Sequence, residues 1–185
     1  MIRKTLIPGL LIIESPVLSD RRGFFHEVFR MDELEKATGK EFKPVQWNHS
    51  FSLPRVIRAI HTENWQKIIY PISGKMFAAF VDIRPKSRTF ARVVTHTFDN
   101  TKSNSTKNAV YIAPGIGNSL CVIGKEALHY MYMVDEYWDN SKASGIAWND
   151  SDLAIDWPVK KPIISERDRN NPTLRNLFPD RFKKL

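Results

Sequence analysis

Lys67-Ile-Ile-Tyr-Pro-Ile72, a break at Ser73-Gly74, and Lys75-Met-Phe-Ala-Ala-Phe-Val-Asp-Ile83 set the pattern for the whole chain. Both runs are short and rich in aliphatic and aromatic residues, and turn residues bound them, so they read as strands rather than helices. The same rhythm recurs outward from here. Upstream lie Leu10–Glu14, Phe24–Arg30, Val45–Ser52 and Val56–Thr62; downstream lie Thr89–Phe98, Ala109–Ala113, Ser119–Ile123 and Ala127–Val134. Ser19-Asp20, Ser52-Leu-Pro54, Arg84-Pro-Lys-Ser87 and Pro114-Gly115 supply turns between them. So many short strands predict an all-β sandwich or barrel of the jelly-roll kind. Helical signals are confined to a segment after Arg30, with Asp32 near its start and Gly39 past its end, and a shorter one at Thr173–Leu177.

The 185 residues fit one domain, with a barrel core expected over residues 10–137 and a C-terminal arm over 138–185. Strand patterning fades along that arm, where Trp148, Trp157, Pro158 and Pro162 suggest an ordered extension packed on the barrel. At 42% hydrophobic and 26% charged residues, the composition is that of a globular protein rather than a disordered one. No apolar run reaches the roughly 20 residues that span a bilayer. Pro8-Gly9 interrupts the apolar start and no small-residue cleavage site follows, so the expectation is a first strand and a cytoplasmic protein. Cys121 is the only cysteine, which excludes an intrachain disulfide and a cysteine-rich zinc site. Within Ser-Leu-Cys-Val-Ile it reads as a small core residue. The net charge of +8 asks for an acidic partner, nucleic acid or a phosphorylated small molecule. Its lysines and arginines are scattered rather than concentrated, unlike those of most nucleic-acid binders.

Five histidines (His26, His49, His61, His96 and His129) on a jelly roll raise a metal-binding cupin as a first hypothesis. Such sites want two histidines one residue apart, a carboxylate and a distant third histidine. His61-Thr62-Glu63 offers one histidine, and Asn118 follows Pro114-Gly115, so the ligand set falls short. Without metal, a histidine in a pocket is a natural general base. His61, within Val-Ile-Arg-Ala-Ile-His, is equally readable as a core histidine satisfied by a neighbour. Alternation puts Tyr132 on one face with Leu128, Tyr130 and Val134, where packing alone accounts for it. Gln46, Asn48 and Ser50 interrupt one strand, Arg22 and Glu27 flank Phe24-Phe25, and Lys67, Asp82 and Arg84 sit in or at the ends of others. Singly these read as solvent-facing; together they suggest a polar barrel mouth that binds a small molecule.

Taken in order, these fragments resemble the dTDP-4-dehydrorhamnose 3,5-epimerases of nucleotide-sugar biosynthesis. The similarity runs from Asp20-Arg-Arg-Gly-Phe-Phe-His-Glu-Val-Phe-Arg30 through Gln46-Trp-Asn-His-Ser50, Arg58-Ala-Ile-His61, Val81-Asp-Ile-Arg84 and Ala113-Pro-Gly115. It continues through Tyr132, Glu136-Tyr-Trp138, Gly145-Ile-Ala-Trp-Asn-Asp150, Ile155-Asp-Trp-Pro158 and Ser165-Glu-Arg-Asp168. The resemblance implies a cupin-like jelly-roll β-barrel, a homodimer that exchanges N-terminal strands, and no metal or organic cofactor. It implies His61 as proton acceptor, Tyr132 as proton donor, Asp168 as the carboxylate orienting His61, and Lys67 as the active-site lysine. Arg22, Glu27, Gln46, Asn48, Arg58, Asn118, Trp138 and Arg167 match substrate-binding positions, with Trp138 standing where a tyrosine usually stacks on the thymine. The implied substrate is a dTDP-linked 4-keto-6-deoxyhexose.

Three departures bear on the substrate. Ala59 replaces the usual glycine before the histidine, Asn118 replaces a histidine after the Pro-Gly turn, and Ala143 stands where many members place a glutamate. Strict alternation also sets Arg58 and His61 on opposite faces, so both reach one site only through a bulge or twist. Narrower epimerases acting at C3 or C5 alone, other nucleotide sugars, and a catalytically silent sugar-nucleotide-binding cupin remain as alternatives.

Overall fold

The computed structural model describes residues 1–101, 106–139 and 144–183. One sheet holds β1 (Ile2–Lys4), β2 (Leu10–Asp20), β4 (Gln46–Ser52), β6 (Lys67–Ser73), β9 (Thr106–Ile112) and β11 (Leu128–Val134), in the order β1-β2-β9-β6-β11-β4. A further strand, β3 (Gly23–His26), pairs with β2 alone. The second sheet runs β12 (Ser144–Gly145), β5 (Ile57–Thr62), β10 (Ile116–Val122), β7 (Lys75–Asp82), β8 (Val93–Asp99). Neighbouring strands pair antiparallel throughout both sheets. Short helices α1 (Met31–Thr38), α2 (Glu166–Arg169) and α3 (Leu174–Leu177) complete an all-β, cupin-like jelly roll.

The two strands that set the pattern, β6 and β7, do not pair. They lie in different sheets, and Gly74 turns the chain from one to the other at φ 87°. A Cβ there would sit 2.8 Å from the carbonyl oxygen of Ala127, so both the backbone angle and the space call for glycine.

Three apolar layers follow from the two faces of each sheet. Ile12, Ile69, Val110 and Leu128 meet Met76, Ala78, Phe80 and Val122 between the sheets. On the outside of the first sheet, Leu11, Ile13, Ile68 and Tyr111 are covered by Leu34 of α1 and by Phe42. On the outside of the second, Ile57, Ala59, Val81 and Cys121 pack against Ile146, Leu153, Ile164 and Leu174 of the C-terminal segment. Cys121 is fully buried there, and burial pushes its thiol up to about 12, which leaves it without thiolate chemistry.

Several boundaries differ from the expectation. The start splits into two strands at Gly9, and β2 continues through Ser19-Asp20, so the turn falls at Arg21-Arg22. Asp20 Oδ1 closes it by accepting the Arg22 N–H at 2.8 Å. β3 ends at His26 rather than Arg30, and β8 begins at Val93 rather than Thr89. In the latter case the Ser87 and Thr89 hydroxyls are drawn off to Asp82 Oδ2, at 2.6 and 2.5 Å. Arg84 Nε adds a bond to Asp82 Oδ1 at 2.7 Å. Burial pushes this carboxyl up, yet those donors outweigh it and hold its pKa at about 2. The Val81-Asp-Ile-Arg84 motif therefore ties down a loop.

Candidate active site

β5 carries three steps from Arg58 to His61 while β10 carries two from Leu120 to Asn118, which is a β-bulge. The extra residue breaks the alternation and turns both side chains into one cavity of about 200 Å³ between the sheets. Ala59 and Ile60, at the bulge, point the other way into the outer apolar layer and are fully buried. The methyl group of Ala59 therefore does not crowd the cavity.

The bulge leaves the Ala59 N–H and C=O without ladder partners, and the C-terminal segment supplies them. Asp168 Oδ2 accepts the Ala59 N–H at 3.3 Å, and Asn171 Nδ2 donates to the Ala59 carbonyl at 3.5 Å. Asp168 is placed by α2, where Ser165 caps the helix by accepting the Asp168 N–H at 3.1 Å. Its second oxygen, Oδ1, lies 3.0 Å from His61 Nε2. One carboxylate thus braces the bulge and holds the histidine. With Nε2–H donated to Asp168, the free lone pair of the ring is on Nδ1. Burial raises the Asp168 carboxyl, but the His61 bond and charge, the Ala59 N–H and Arg167 together hold it below its ordinary range. β12 pairs with β5 at His61 and Thr62 on the same edge, and a Cβ on Gly145 would collide with Asn171.

Across the cavity, β11 presents Tyr130 and Tyr132 from the opposite sheet. Burial, aided by Glu63, raises the Tyr132 phenol, and Arg58 opposes this; the phenol stays protonated through the neutral range. Lys67, at the start of β6, is 94% covered and forms a close ion pair with Glu63. Its Nζ also stands 3.5 Å from Asn118 Oδ1 and 4.8 Å from the Tyr132 ring centroid. Arg58, Arg167 and Trp138 line the same cavity. Gln46 and Asn48, on β4 beside Tyr132, bond to each other at 2.7 Å, and Gln46 Oε1 accepts the Trp138 N–H at 3.0 Å. Asn48 Nδ2 is buried with no hydrogen-bond partner, and neither Gln46 nor Asn48 is part of the cavity lining itself.

Of the residues singled out from sequence, His61, Lys67, Arg58, Asn118, Tyr132, Trp138 and Arg167 converge on this cavity, with Asp168 behind His61. Arg22 and Glu27 do not. Arg22 is exposed and paired with Asp20, and Glu27 is paired with Arg30, both outside the cavity lining. Arg22 belongs to the β2–β3 ribbon and Glu27 to the segment after it. Ala143 lies outside the described residues. Glu63 is a cavity residue to which sequence reasoning assigned no role; its charge, opposite to that of Lys67 four residues on, is the available signal. Among the described residues no three His, Cys, Asp or Glu gather in a way that could hold a metal ion.

A base held by a carboxylate on one sheet, and a protonated phenol on the other, can move protons at opposite sides of a bound carbon. Two arginines, Arg58 and Arg167, at the same cavity suit a diphosphate. The comparisons point the same way. The family model described as dTDP-4-dehydrorhamnose 3,5-epimerase matches residues 4–176. The dTDP-4-dehydrorhamnose 3,5-epimerase of Shigella flexneri is 34% identical over 171 residues, 90% of this chain and 92% of that one. A 4-keto-6-deoxy sugar epimerase from the novobiocin cluster of Streptomyces spheroides superposes with a TM-score of 0.90 at 28% identity, covering 97% of this chain and 89% of that one. The Legionella pneumophila dTDP-6-deoxy-D-glucose-3,5-epimerase, solved with dTDP-4-keto-L-rhamnose, gives 0.88 at 28% identity, covering 100% and 98%. The chain belongs to the dTDP-4-dehydrorhamnose 3,5-epimerase family.

Proposed function

We propose that this chain inverts C3 and C5 of dTDP-4-dehydro-6-deoxyglucose, giving dTDP-4-dehydro-L-rhamnose. The observation that carries the reading is the placement of His61, backed by Asp168, and Tyr132 on facing sheets across one cavity. The protons on C3 and C5 flank the C4 carbonyl. His61 Nδ1 takes one, and the electron pair moves into the C4 oxygen as an enolate. Asp168 stabilises the imidazolium, and Lys67 donates to the developing oxyanion. Tyr132 O–H then delivers a proton to the opposite face of the carbon, and the carbonyl re-forms with inverted configuration. No net oxidation occurs. Arg58 and Arg167 bind the diphosphate, Trp138 stacks on the base, and Gln46, Asn48 and Asn118 hydrogen-bond the substrate.

A homodimer is part of the same proposal. The β2–β3 ribbon exposes Leu18, Phe24 and Phe25, and β4 exposes Trp47 and Phe51, more apolar surface than a lone domain gains from showing. Arg22 and Glu27 ride on or beside that ribbon, and the partner subunit's cavity is where they would meet substrate. A cytoplasmic address goes with a doubly charged diphosphate substrate, which crosses no bilayer unaided.

Deuterium from heavy water tests the reading. Incorporation at both C3 and C5 is expected. Incorporation at one carbon alone selects a narrower epimerase, the reading that Asn118 favours by standing in the cavity lining in place of the family's usual histidine. Binding without exchange, unchanged in His61→Ala, overturns the catalytic reading and leaves a sugar-nucleotide-binding module.

A further inference from the structure

We propose that Glu63 and Asn118 form a positioning pair that aims the Lys67 ammonium at the reacting oxygen, and that Glu63 thereby acts on turnover rather than on substrate affinity. The inference rests on the epimerase reading above and extends it to two residues to which that reading gives no part in turnover.

The Lys67 side chain is only 6% exposed, and a buried ammonium without a counter-charge is strongly disfavoured. Glu63 provides that charge in a close ion pair, with its own side chain 13% exposed. Asn118 Oδ1 stands 3.5 Å from the same Nζ. An ammonium has three N–H bonds, so two acceptors leave one for the cavity that Lys67 lines. The Tyr132 ring, 4.8 Å from Nζ, closes a side of the box.

The orientation of the asparagine is itself fixed. Its Nδ2 donates to Glu63 Oε2 and to the His61 carbonyl, each at 3.3 Å, which leaves Oδ1 facing Lys67. Glu63 therefore touches Lys67 directly and again through Asn118. The pair also ties the lysine to the backbone of the strand that carries the base. A donor fixed before the enolate forms stabilises it without reorganising, whereas a loose one stabilises the substrate and the enolate alike. The consequence is specific: loss of Glu63 lowers kcat and leaves the nucleotide end of the site alone.

Glu63→Gln keeps an acceptor of the same shape and removes the charge. The expected result is a fall in kcat of about tenfold or more, with KM for the nucleotide sugar and Kd for dTDP both within about threefold of wild type. Glu63→Asp should recover part of the loss. A second readout needs no turnover. Lys67 in Glu63→Gln should react with acetic anhydride at least about threefold faster than in wild type, read by peptide mass spectrometry, because a side chain no longer clamped by the carboxylate is freer to meet the reagent. Unchanged labelling overturns the proposal whatever happens to kcat, and so does a raised KM with kcat intact. If Glu63→Gln fails to fold, labelling of Lys67 in Asn118→Ala decides alone, faster than wild type being expected and unchanged labelling overturning the proposal. A wild-type chain that exchanges no deuterium overturns the epimerase reading alone, and the labelling comparison still stands.

Discussion

His61 Nε2 and Asp168 Oδ1 lie 3.0 Å apart, although 107 residues separate them in the chain. The other oxygen of the same carboxylate holds the backbone of Ala59 in the bulge that turns His61 into the cavity. Asp168→Asn keeps the shape and forfeits the charge, so the imidazolium loses its stabilising partner. Epimerisation should slow by about 100-fold or more, with little change in dTDP affinity. Asp168→Ala additionally strands the buried Ala59 N–H, at about 1–3 kcal/mol of stability measured by urea denaturation. The native carboxyl sits below its ordinary range, so its stabilising contribution is whole above that range and disappears as pH falls through the depressed value. A variant as stable and as fast as the wild type would count against both roles.

Ala59→Gly separates the bulge from the chemistry. The Ala59 methyl group faces Ile57, Cys121 and Leu174 rather than substrate. Restoring the glycine should leave kcat and KM within about twofold of wild type and lower stability by about 0.5–1 kcal/mol, through the flexibility glycine brings to the unfolded chain. Thermal melts and steady-state rates on one preparation read both.

Tyr132→Phe separates proton removal from inversion. His61 still takes the proton and can return solvent deuterium to the face it came from. Exchange should therefore persist while formation of the inverted sugar falls by about 100-fold or more. Equal loss of exchange and inversion would remove Tyr132 from the role of acid.

These residues also show how much of the site the sequence disclosed. The all-β class was legible because short apolar runs and turn residues alternate along the whole length. His61 and Tyr132 were not legible by themselves, since a half-buried histidine and a packed tyrosine look alike in any strand; their order within a chain-long resemblance marked them. The bulge was visible only as a contradiction, Arg58 and His61 on opposite faces of an ideal strand, because one extra residue in a ladder leaves no mark in composition. Glu63 was missed since its partner Asn118 lies 55 residues away, and since a four-residue spacing across the connection from β5 to β6 does not by itself say that Glu63 and Lys67 meet. The switch of sheets between β6 and β7 was hidden for the same reason: a glycine turn reads alike whether the strands pair or part.

Asp82 offers a stability test well away from proton transfer. Its pKa of about 2 against an ordinary 3.8 means that the folded chain favours the ionised form. The depressed value contributes about 2 kcal/mol at neutral pH, present in full above the unfolded value and lost as pH falls from about 4 towards 2. Asp82→Asn should therefore unfold more easily than wild type at pH 7, and the gap should narrow across that acid window. A gap that stays constant down to pH 2 would assign the loss to packing.

Subunit mixing tests the proposed dimer and the part of Arg22 in it. Arg22 stands 84% exposed on the β2–β3 ribbon, paired only with Asp20 among the described residues, and lines no part of the cavity that holds His61. If each site combines its own His61 with Arg22 of the partner subunit, Arg22→Ala and His61→Ala homodimers are both impaired. A mixed dimer then holds one intact site and one doubly damaged site. Random reassortment of equal amounts makes half of the dimers mixed, so activity should return to about one quarter of wild type. Were Arg22 to serve its own chain, every site in the mixture would carry one lesion and no activity would return. Mixing after reversible denaturation, followed by the deuterium-exchange assay, distinguishes the two outcomes.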